Sequence, residues 1–234
     1  MAGACLALSA CSVKSGTEYL IAGNEYFKKG DYAHAETEYR EALRLEPDSS
    51  TACNNLGVVL NELGKYDEAI QILSRGAQVD PKNAIAHYVL ANALTHKQRF
   101  DEAIEHARKA IEIEPTDAPG HRALAEAALA KGDLPVALDE YRYLVRLDPD
   151  NDEIHHKLAI ALGVAGDPDA QIAEERKALE LNPDNLDARI QLAIALNDKG
   201  NPSEAIDEIK KALEKDPANE DAKKYLALFE NAKK

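Results

Sequence analysis

Six prolines are evenly spaced along this chain of 234 residues. Each stands 34 residues after the one before, at Pro47, Pro81, Pro115, Pro149, Pro183 and Pro217. A fixed sequence period of about 20 to 50 residues is typical of repeat proteins, in which each repeat packs only on its neighbours. Such an array presents a long continuous surface rather than one enclosed pocket. The period therefore favours a binding scaffold over an enzyme.

Each period contains the pattern of two helices. Apolar residues recur at spacings of three and four, for example at Ala103, Ala107 and Ala110, as the buried stripe of a helix requires. Between the helices stand glycines, which can adopt the left-handed conformation that ends a helix, at Gly30, Gly64, Gly132, Gly166 and Gly200. The proline then closes the second helix because it cannot continue one. No alternation typical of strands competes, so the sequence predicts an all-α chain.

The repeated residues resemble the tetratricopeptide repeat. Aligned on Pro47, the first repeat starts at Gly16 and carries the small, aromatic and alanine residues of the family motif at Tyr19, Gly23, Tyr26, Ala35, Tyr39 and Ala42. The second and third repeats follow with Leu56, Gly57, Leu60, Ala69 and Leu73, and with Leu90, Ala91, Leu94, Ala103 and Ala110. Small residues at these places let paired helices approach closely.

The resemblance spans residues 16–219 and implies a right-handed α-α superhelical solenoid of six helix-turn-helix repeats plus a C-terminal capping helix. The expected boundaries are a signal and tether segment at 1–15, repeats at 16–49, 50–83, 84–117, 118–151, 152–185 and 186–219, and the capping helix at 220–234. The capping helix would cover the last apolar face with Tyr225, Leu226 and Phe229.

The fifth repeat departs from the motif. Gln171 and Glu175 stand where its second helix should carry alanine and an aromatic residue, and Pro168 replaces another aromatic residue. Because an unpaired buried carboxylate costs several kcal/mol, on the order of the penalty for a buried ion, we expect Glu175 to tilt outward or to pair, for instance with Arg142 or a neighbouring lysine. The departure indicates either a ligand notch or a locally rotated helix.

The N-terminus is similar to a bacterial lipobox. Leu8-Ser9-Ala10-Cys11 follows an apolar run that would be the core of a signal peptide. This resemblance implies acylation of Cys11 and, with Ser12 next to it, delivery to the periplasmic side of the outer membrane. Only ten residues precede Cys11 and none is basic, so an unstructured tail with a chance cysteine stays as the alternative.

The chain is acidic, with 42 Asp and Glu against 28 Lys and Arg and a formal net charge of −14. Nucleic-acid binding requires a basic stripe that neutralises phosphates, and none is visible, so no nucleic-acid partner is expected. The acidity indicates either a basic partner or a solvated surface that keeps the chain soluble. Beyond the N-terminal segment, no run approaches the roughly 18 apolar residues that span a bilayer.

No residue pattern indicates catalysis, a metal or a cofactor. His87, His121 and His155 also recur every 34 residues, but equivalent positions in neighbouring repeats are about 8–10 Å apart, whereas zinc ligands lie about 2 Å from one ion. These histidines therefore indicate packing. Cys53 is expected in the core of the second repeat, where a thiol behaves as a small apolar group. The chain carries no phosphate loop and none of the common hydrolase motifs.

In the tetratricopeptide repeat family, the first helix of each repeat lines a concave groove. The resemblance places eleven partner-binding candidates there: Asn24, Asn54, Asn55, Tyr88, Asn92, Arg122, Glu126, His156, Ile160, Ile190 and Ile194. The asparagines suit an extended peptide backbone. The isoleucines, with Val164, indicate either an interaction patch or packing between helices. The basic residues of a chaperone-type carboxylate clamp are replaced by Leu20, Ile85 and Val89, which argues against that ligand.

The expected function is a non-enzymatic scaffold that binds a partner protein or peptide in this groove. The combination of lipobox and six repeats resembles lipoproteins that pilot secretin rings in pilus or secretion assembly, which implies an envelope-assembly role with membrane contact only through lipidated Cys11. The alternative is a soluble cytoplasmic adaptor, or the regulatory fragment of a larger enzyme.

Overall fold

A computed structural model of the chain describes residues 14–232, so the expected lipobox and Cys11 lie outside the described residues. The described residues form thirteen helices and no strand: α1 Gly16–Lys28, α2 Tyr32–Leu45, α3 Ser50–Glu62, α4 Tyr66–Val79, α5 Ala84–His96, α6 Phe100–Ile113, α7 Ala118–Lys131, α8 Leu134–Leu147, α9 Asp152–Val164, α10 Pro168–Leu181, α11 Leu186–Asp198, α12 Pro202–Lys215 and α13 Glu220–Ala232. The prediction of an all-α repeat solenoid is confirmed.

The chain divides into two compact units, Met1–Lys97 and Gln98–Lys234. The first contains α1 to α5 and the second contains α6 to α13. Within each unit, helices that follow one another in sequence pack side by side, and two pairs of successive first helices also touch, α3 with α5 and α9 with α11. None of the helices in residues 14–232 is both long and apolar enough to cross a membrane.

The periodic prolines stand directly after the residues that end the second helices. Glu46, the C-cap residue of α2, has φ −124° and ψ 77°, and Asp148, the C-cap residue of α8, has φ −138° and ψ 84°. These angles lie outside the helical region, which a proline disfavours for the preceding residue because its ring clashes with a helical neighbour. The 34-residue period of proline is therefore a period of helix ends.

The turn between the two helices of a repeat requires a residue in the left-handed conformation. Glycine supplies it in five repeats with φ between 70° and 88°, at Gly30, Gly64, Gly132, Gly166 and Gly200. In the third repeat, Gln98 holds this position with φ 59° and is the one non-glycine residue with positive φ in the described part of the chain. Since a side chain is strained in that conformation, Gln98 carries a cost that the glycines avoid.

Close helix pairing in the first unit depends on two further glycines. A Cβ atom on Gly23 of α1 would lie 2.4 Å from the ring of Tyr39, and one on Gly57 of α3 would lie 2.4 Å from Cδ2 of Leu73. Carbon atoms in contact are about 3.5–4.0 Å apart. The absence of a side chain therefore makes room for a large buried residue of the second helix.

The last helix packs against the end of the second unit. Ala222 and Phe229 of α13 are buried in one apolar cluster with Leu196 of α11 and Ile209 of α12. Tyr225 and Leu226 are partly buried against the same cluster. The helix thus shields apolar side chains of α11 and α12 from water, and its own exposed surface is largely charged.

Of the two alternatives expected for Glu175, the structure shows pairing, with a partner that the sequence did not suggest. This residue of α10 does not tilt outward: it is 0% exposed, and its carboxylate lies 2.9 Å from Nδ1 of His156 in α9 rather than beside Arg142. Burial raises the pKa of Glu175, and the hydrogen bond with His156 opposes that rise. A buried histidine of the same repeat therefore provides the partner that the carboxylate requires.

Candidate functional site

In the first unit, α1 and α3 enclose a small hollow of about 220 Å³. Asn24 and Asn55 lie on its wall and are bonded to each other, because Nδ2 of Asn55 donates to Oδ1 of Asn24 over 3.0 Å. The hydroxyl of Tyr39 donates to the same oxygen over 2.7 Å. Burial raises the pKa of Tyr39, which keeps that hydroxyl a donor. Phe27 and Val58 complete a largely apolar lining.

A larger hollow of about 460 Å³ adjoins it between α3 and α5, and Val58 lines both. Polar and aromatic side chains surround this second hollow, namely Asn61, Glu62, Tyr66, Tyr88, Asn92 and His96. Nδ2 of Asn61 donates to the backbone oxygen of Val89 over 3.1 Å, while its buried Oδ1 has no donor in the described residues. The rings of Tyr66 and His96 stack at 4.4 Å.

Four of the five sequence candidates in the first unit therefore line two adjoining hollows. Asn24 and Asn55 lie in the smaller one, and Tyr88 and Asn92 lie in the larger one. Asn54 is elsewhere: it is 4% exposed, and its Oδ1, with no hydrogen-bond donor among residues 14–232, faces the position of Gly76 in α4. That side chain packs between the helices of its own repeat.

Several candidates of the second unit form ion pairs or hydrogen bonds with other residues of the chain. Arg122 of α7 makes an ion pair with Glu153 of α9, with Nη1 and Oε1 3.3 Å apart. His156 is 9% exposed and holds Glu175, as described above. Glu126 is partly buried on α7. These three residues stay predicted binding residues, and Arg122 and His156 contact acidic side chains of their own chain.

The isoleucine candidates are all buried or partly buried. Ile190 is 7% exposed and belongs to the apolar cluster of α11, α12 and α13, and Ile194 packs against that cluster. Ile160 is partly buried, and Val164 at the end of α9 is 61% exposed. Ile190 and Ile194 therefore contact neighbouring helices, as the alternative of packing between helices predicts.

The repeating histidines join the second helix of their own repeat to the proline that closes the preceding repeat. In His121, Nδ1 lies 2.6 Å from a carboxylate oxygen of Glu140 and Nε2 lies 2.9 Å from the backbone oxygen of Pro115. His155 repeats the pattern at 2.6 Å and 3.0 Å, with Glu174 and Pro149. A ring protonated on both nitrogens donates to both acceptors. Arg189 makes the equivalent two bonds in the sixth repeat, to Glu208 and Pro183.

No group of three or more His, Cys, Asp or Glu side chains in residues 14–232 is arranged to hold a metal ion. Cys53, at the position equivalent to the histidines, is buried and its thiol is free. Burial raises the pKa of this thiol, which disfavours the nucleophilic thiolate. The described cysteine therefore behaves as part of the core.

Six residues of the larger hollow were not among the sequence candidates: Val58, Asn61 and Val89, and Glu62, Tyr66 and His96 at helix ends. Glu62 and His96 are the last residues of α3 and α5, and Tyr66 is the first residue of α4. The sequence candidates were drawn from the middle of the first helices, so residues at helix ends were not considered. The signal that was available is the clustering of two aromatic rings and an acid at the turn ends of consecutive helices.

Comparison with known proteins agrees with this architecture. A family model described as the tetratricopeptide repeat matches residues 26–93, 60–127, 94–159 and 165–229. Among curated proteins, Stress-induced-phosphoprotein 1 of Caenorhabditis elegans is 35% identical over 60 residues, which are 26% of this chain and 19% of that protein. The chain spans about a fifth of the length of the curated relatives it matches.

Two solved structures share the fold over most of their length. The pilF protein of Pseudomonas aeruginosa superposes with a TM-score of 0.74 and 16% identity, over 91% of this chain and 96% of that chain. YrrB, described as a tetratricopeptide repeat protein with an unusual peptide-binding site, gives a TM-score of 0.62 and 18% identity over 79% and 95%. At such identities the likeness concerns the fold, which is typically a non-catalytic scaffold. With the family model matching nearly all of the described helices, the chain belongs to the tetratricopeptide repeat family.

Proposed function

We propose that this protein is a non-enzymatic scaffold that binds an extended segment of a partner protein across α1, α3 and α5. The observation that carries the proposal is the pair of adjoining hollows, about 220 and 460 Å³, which share Val58 on α3. Together they form one continuous surface across three first helices. YrrB, whose described peptide-binding site lies on the same fold, supports this kind of ligand.

The chemistry of the walls suits a peptide. Asn92 is partly exposed and makes no side-chain hydrogen bond within the described residues, so its amide offers both a donor and an acceptor. An extended peptide has unpaired backbone N–H and C=O groups that need such partners. Phe27 and Val58 give an apolar side chain of the partner a surface on which to lose water.

Site-specific photocrosslinking in intact cells tests this surface. A benzoylphenylalanine at Asn92 would sit in the larger hollow, and the same residue at Gln78, exposed on α4, is the matched control. We expect a discrete protein adduct from position 92, absent from position 78, that disappears when Val58→Asp is added. Equal adducts from both positions, or an adduct that survives Val58→Asp in a folded chain, would place the binding surface elsewhere.

We further propose an envelope-assembly role in which Cys11 carries the lipid anchor. Support comes from the lipobox-like Leu8-Ser9-Ala10-Cys11. Cys11→Ser should move the full-length protein from the membrane to the soluble fraction, and globomycin should raise its mass by the uncleaved leader. Cys5→Ser is the matched control. If neither treatment changes fractionation or mass, a soluble adaptor or a fragment of a larger enzyme becomes the better assignment.

A further inference from the structure

We propose that the larger hollow of the first unit binds a basic side chain, Lys or Arg, of the partner segment. This inference rests on the proposed function, because it assigns a chemical class to the residue that enters that hollow. Three observations carry it: an acid without a partner, a wall of aromatic rings, and the absence of any Lys or Arg from the lining.

The acid is Glu62, which ends α3 and is exposed at the edge of the hollow. Its carboxylate makes no ion pair or hydrogen bond with any residue in 14–232. The lysine one turn further along, Lys65, is bonded to Glu36 over 2.8 Å, and Lys97 is bonded to Asp67 over 3.0 Å. Since these lysines are engaged, Glu62 offers its charge to a ligand.

The aromatic wall provides the second element. Tyr66 stacks on His96 with an interplanar angle of 9°, and both rings line the hollow together with Glu62. One face of each ring is covered by the other ring, so the outer faces are the ones left for a ligand. Tyr88 lines the same hollow from α5. A guanidinium or an ammonium group is attracted to the face of an aromatic ring, and its alkyl stem packs on apolar carbon such as that of Val58. Basic side chains thus match both the charge and the wall.

The adjoining smaller hollow indicates a second residue of the partner segment. It is lined by Phe27 and Val58 and suits an apolar side chain. First helices of successive repeats lie about 8–10 Å apart. A polyproline II segment has three residues per turn and rises about 3.1 Å per residue, so its side chains at i and i+3 point the same way about 9 Å apart. The expected motif therefore has an apolar residue three positions from the basic one.

The test begins with a random 12-residue peptide library displayed on phage and selected against the full chain. Binding of a selected peptide is then measured by fluorescence anisotropy, together with its version in which the basic residue is norleucine. We expect Lys or Arg to be enriched three positions from a large apolar residue. We also expect norleucine to weaken binding by about five- to tenfold, the range for one solvent-accessible charge with a ring contact.

Two protein variants locate the effect. Glu62→Gln should remove most of the preference for the basic residue, whereas Glu214→Gln should keep it, since Glu214 of α12 is also exposed and without an ion pair in the described residues. Peptides that bind and require Val58 but show no basic preference would overturn this inference and leave the proposed function standing. A basic preference that is equal in the wild type and Glu62→Gln would also overturn it. A selection that yields no binder would count against both.

Discussion

Replacing Gln98 by glycine should stabilise this protein. Gln98 occupies the left-handed turn position between α5 and α6 with φ 59°, where the other five repeats carry glycine. Its side chain is exposed and makes no hydrogen bond with any described residue, so its removal breaks no hydrogen bond. The change in stability at this position therefore reports the conformational free energy of the backbone.

The magnitude follows from two opposing effects. A residue with a side chain pays about 1–2 kcal/mol in the left-handed conformation. Glycine avoids that cost, but it also has more conformational freedom in the unfolded chain. That freedom stabilises the unfolded state by about 0.5–1 kcal/mol. The net gain expected for Gln98→Gly is therefore about 0.5–1 kcal/mol, or about 1–4 °C in Tm for a chain of this size.

The reverse change at an equivalent position is the matched control. A Cβ on Gly132, whose φ is 86°, would meet no atom within 4 Å, so Gly132→Gln adds backbone strain without a clash. Calorimetry and urea unfolding should show a loss of about 0.5–1 kcal/mol for Gly132→Gln. A lower Tm for Gln98→Gly, or an unchanged Tm for Gly132→Gln, would refute the claim that backbone conformation selects glycine at these turns.

Three other predictions concern buried polar groups. Burial raises the pKa of Glu175 above its ordinary value of 4.5, so the folded chain holds this proton more tightly than the unfolded chain. The free energy of unfolding should therefore fall as the pH rises from 4.5 through the folded pKa. Urea unfolding at several pH values should show that this pH-dependent fall is missing in Glu175→Gln. Burial also raises the pKa of Cys53, so with the other two cysteines replaced by serine, Ellman's reagent should label the folded chain roughly a hundredfold more slowly than the unfolded one. His155→Leu should lower the free energy of unfolding by about 1–3 kcal/mol, because the carboxylate of Glu174 and the backbone oxygen of Pro149 lose their donor. His155→Arg should retain most of that stability, since Arg189 makes the equivalent bonds in the sixth repeat. Thermal melts of both variants measure the difference.

The predicted fold follows from local signals, and each has a local physical cause. The proline period gave the ends of the second helices because a proline acts directly on the residue before it, as Glu46 and Asp148 illustrate. The turn glycines were recognisable because positive φ selects them. The glutamine at position 98 shows the limit of such signals, since a tertiary framework can hold a residue in a conformation that its own preference opposes.

The candidate site was only partly predictable. Asn24, Asn55, Tyr88 and Asn92 could be placed on one face because first helices repeat in register, and they do line the two hollows. The same register could not reveal that Asn54 points between helices. A side chain near the edge of a helix stripe is turned inward or outward by the size of its neighbours, and that depends on packing.

The sequence by itself determined the repeat length, the helix ends and the close pairing of helices, because these depend on residues a few positions apart or on the period. Only the tertiary structure decided which polar groups become partners. His156 and Glu175 are 19 positions apart, yet their contact depends on how α9 and α10 pack. The free carboxylate of Glu62 is likewise visible only once Lys65 is seen to bind Glu36 in the preceding repeat. Which side chain pairs with a given charged group depends on the distance between them in the folded chain, and the repeat pattern of the sequence does not specify that distance.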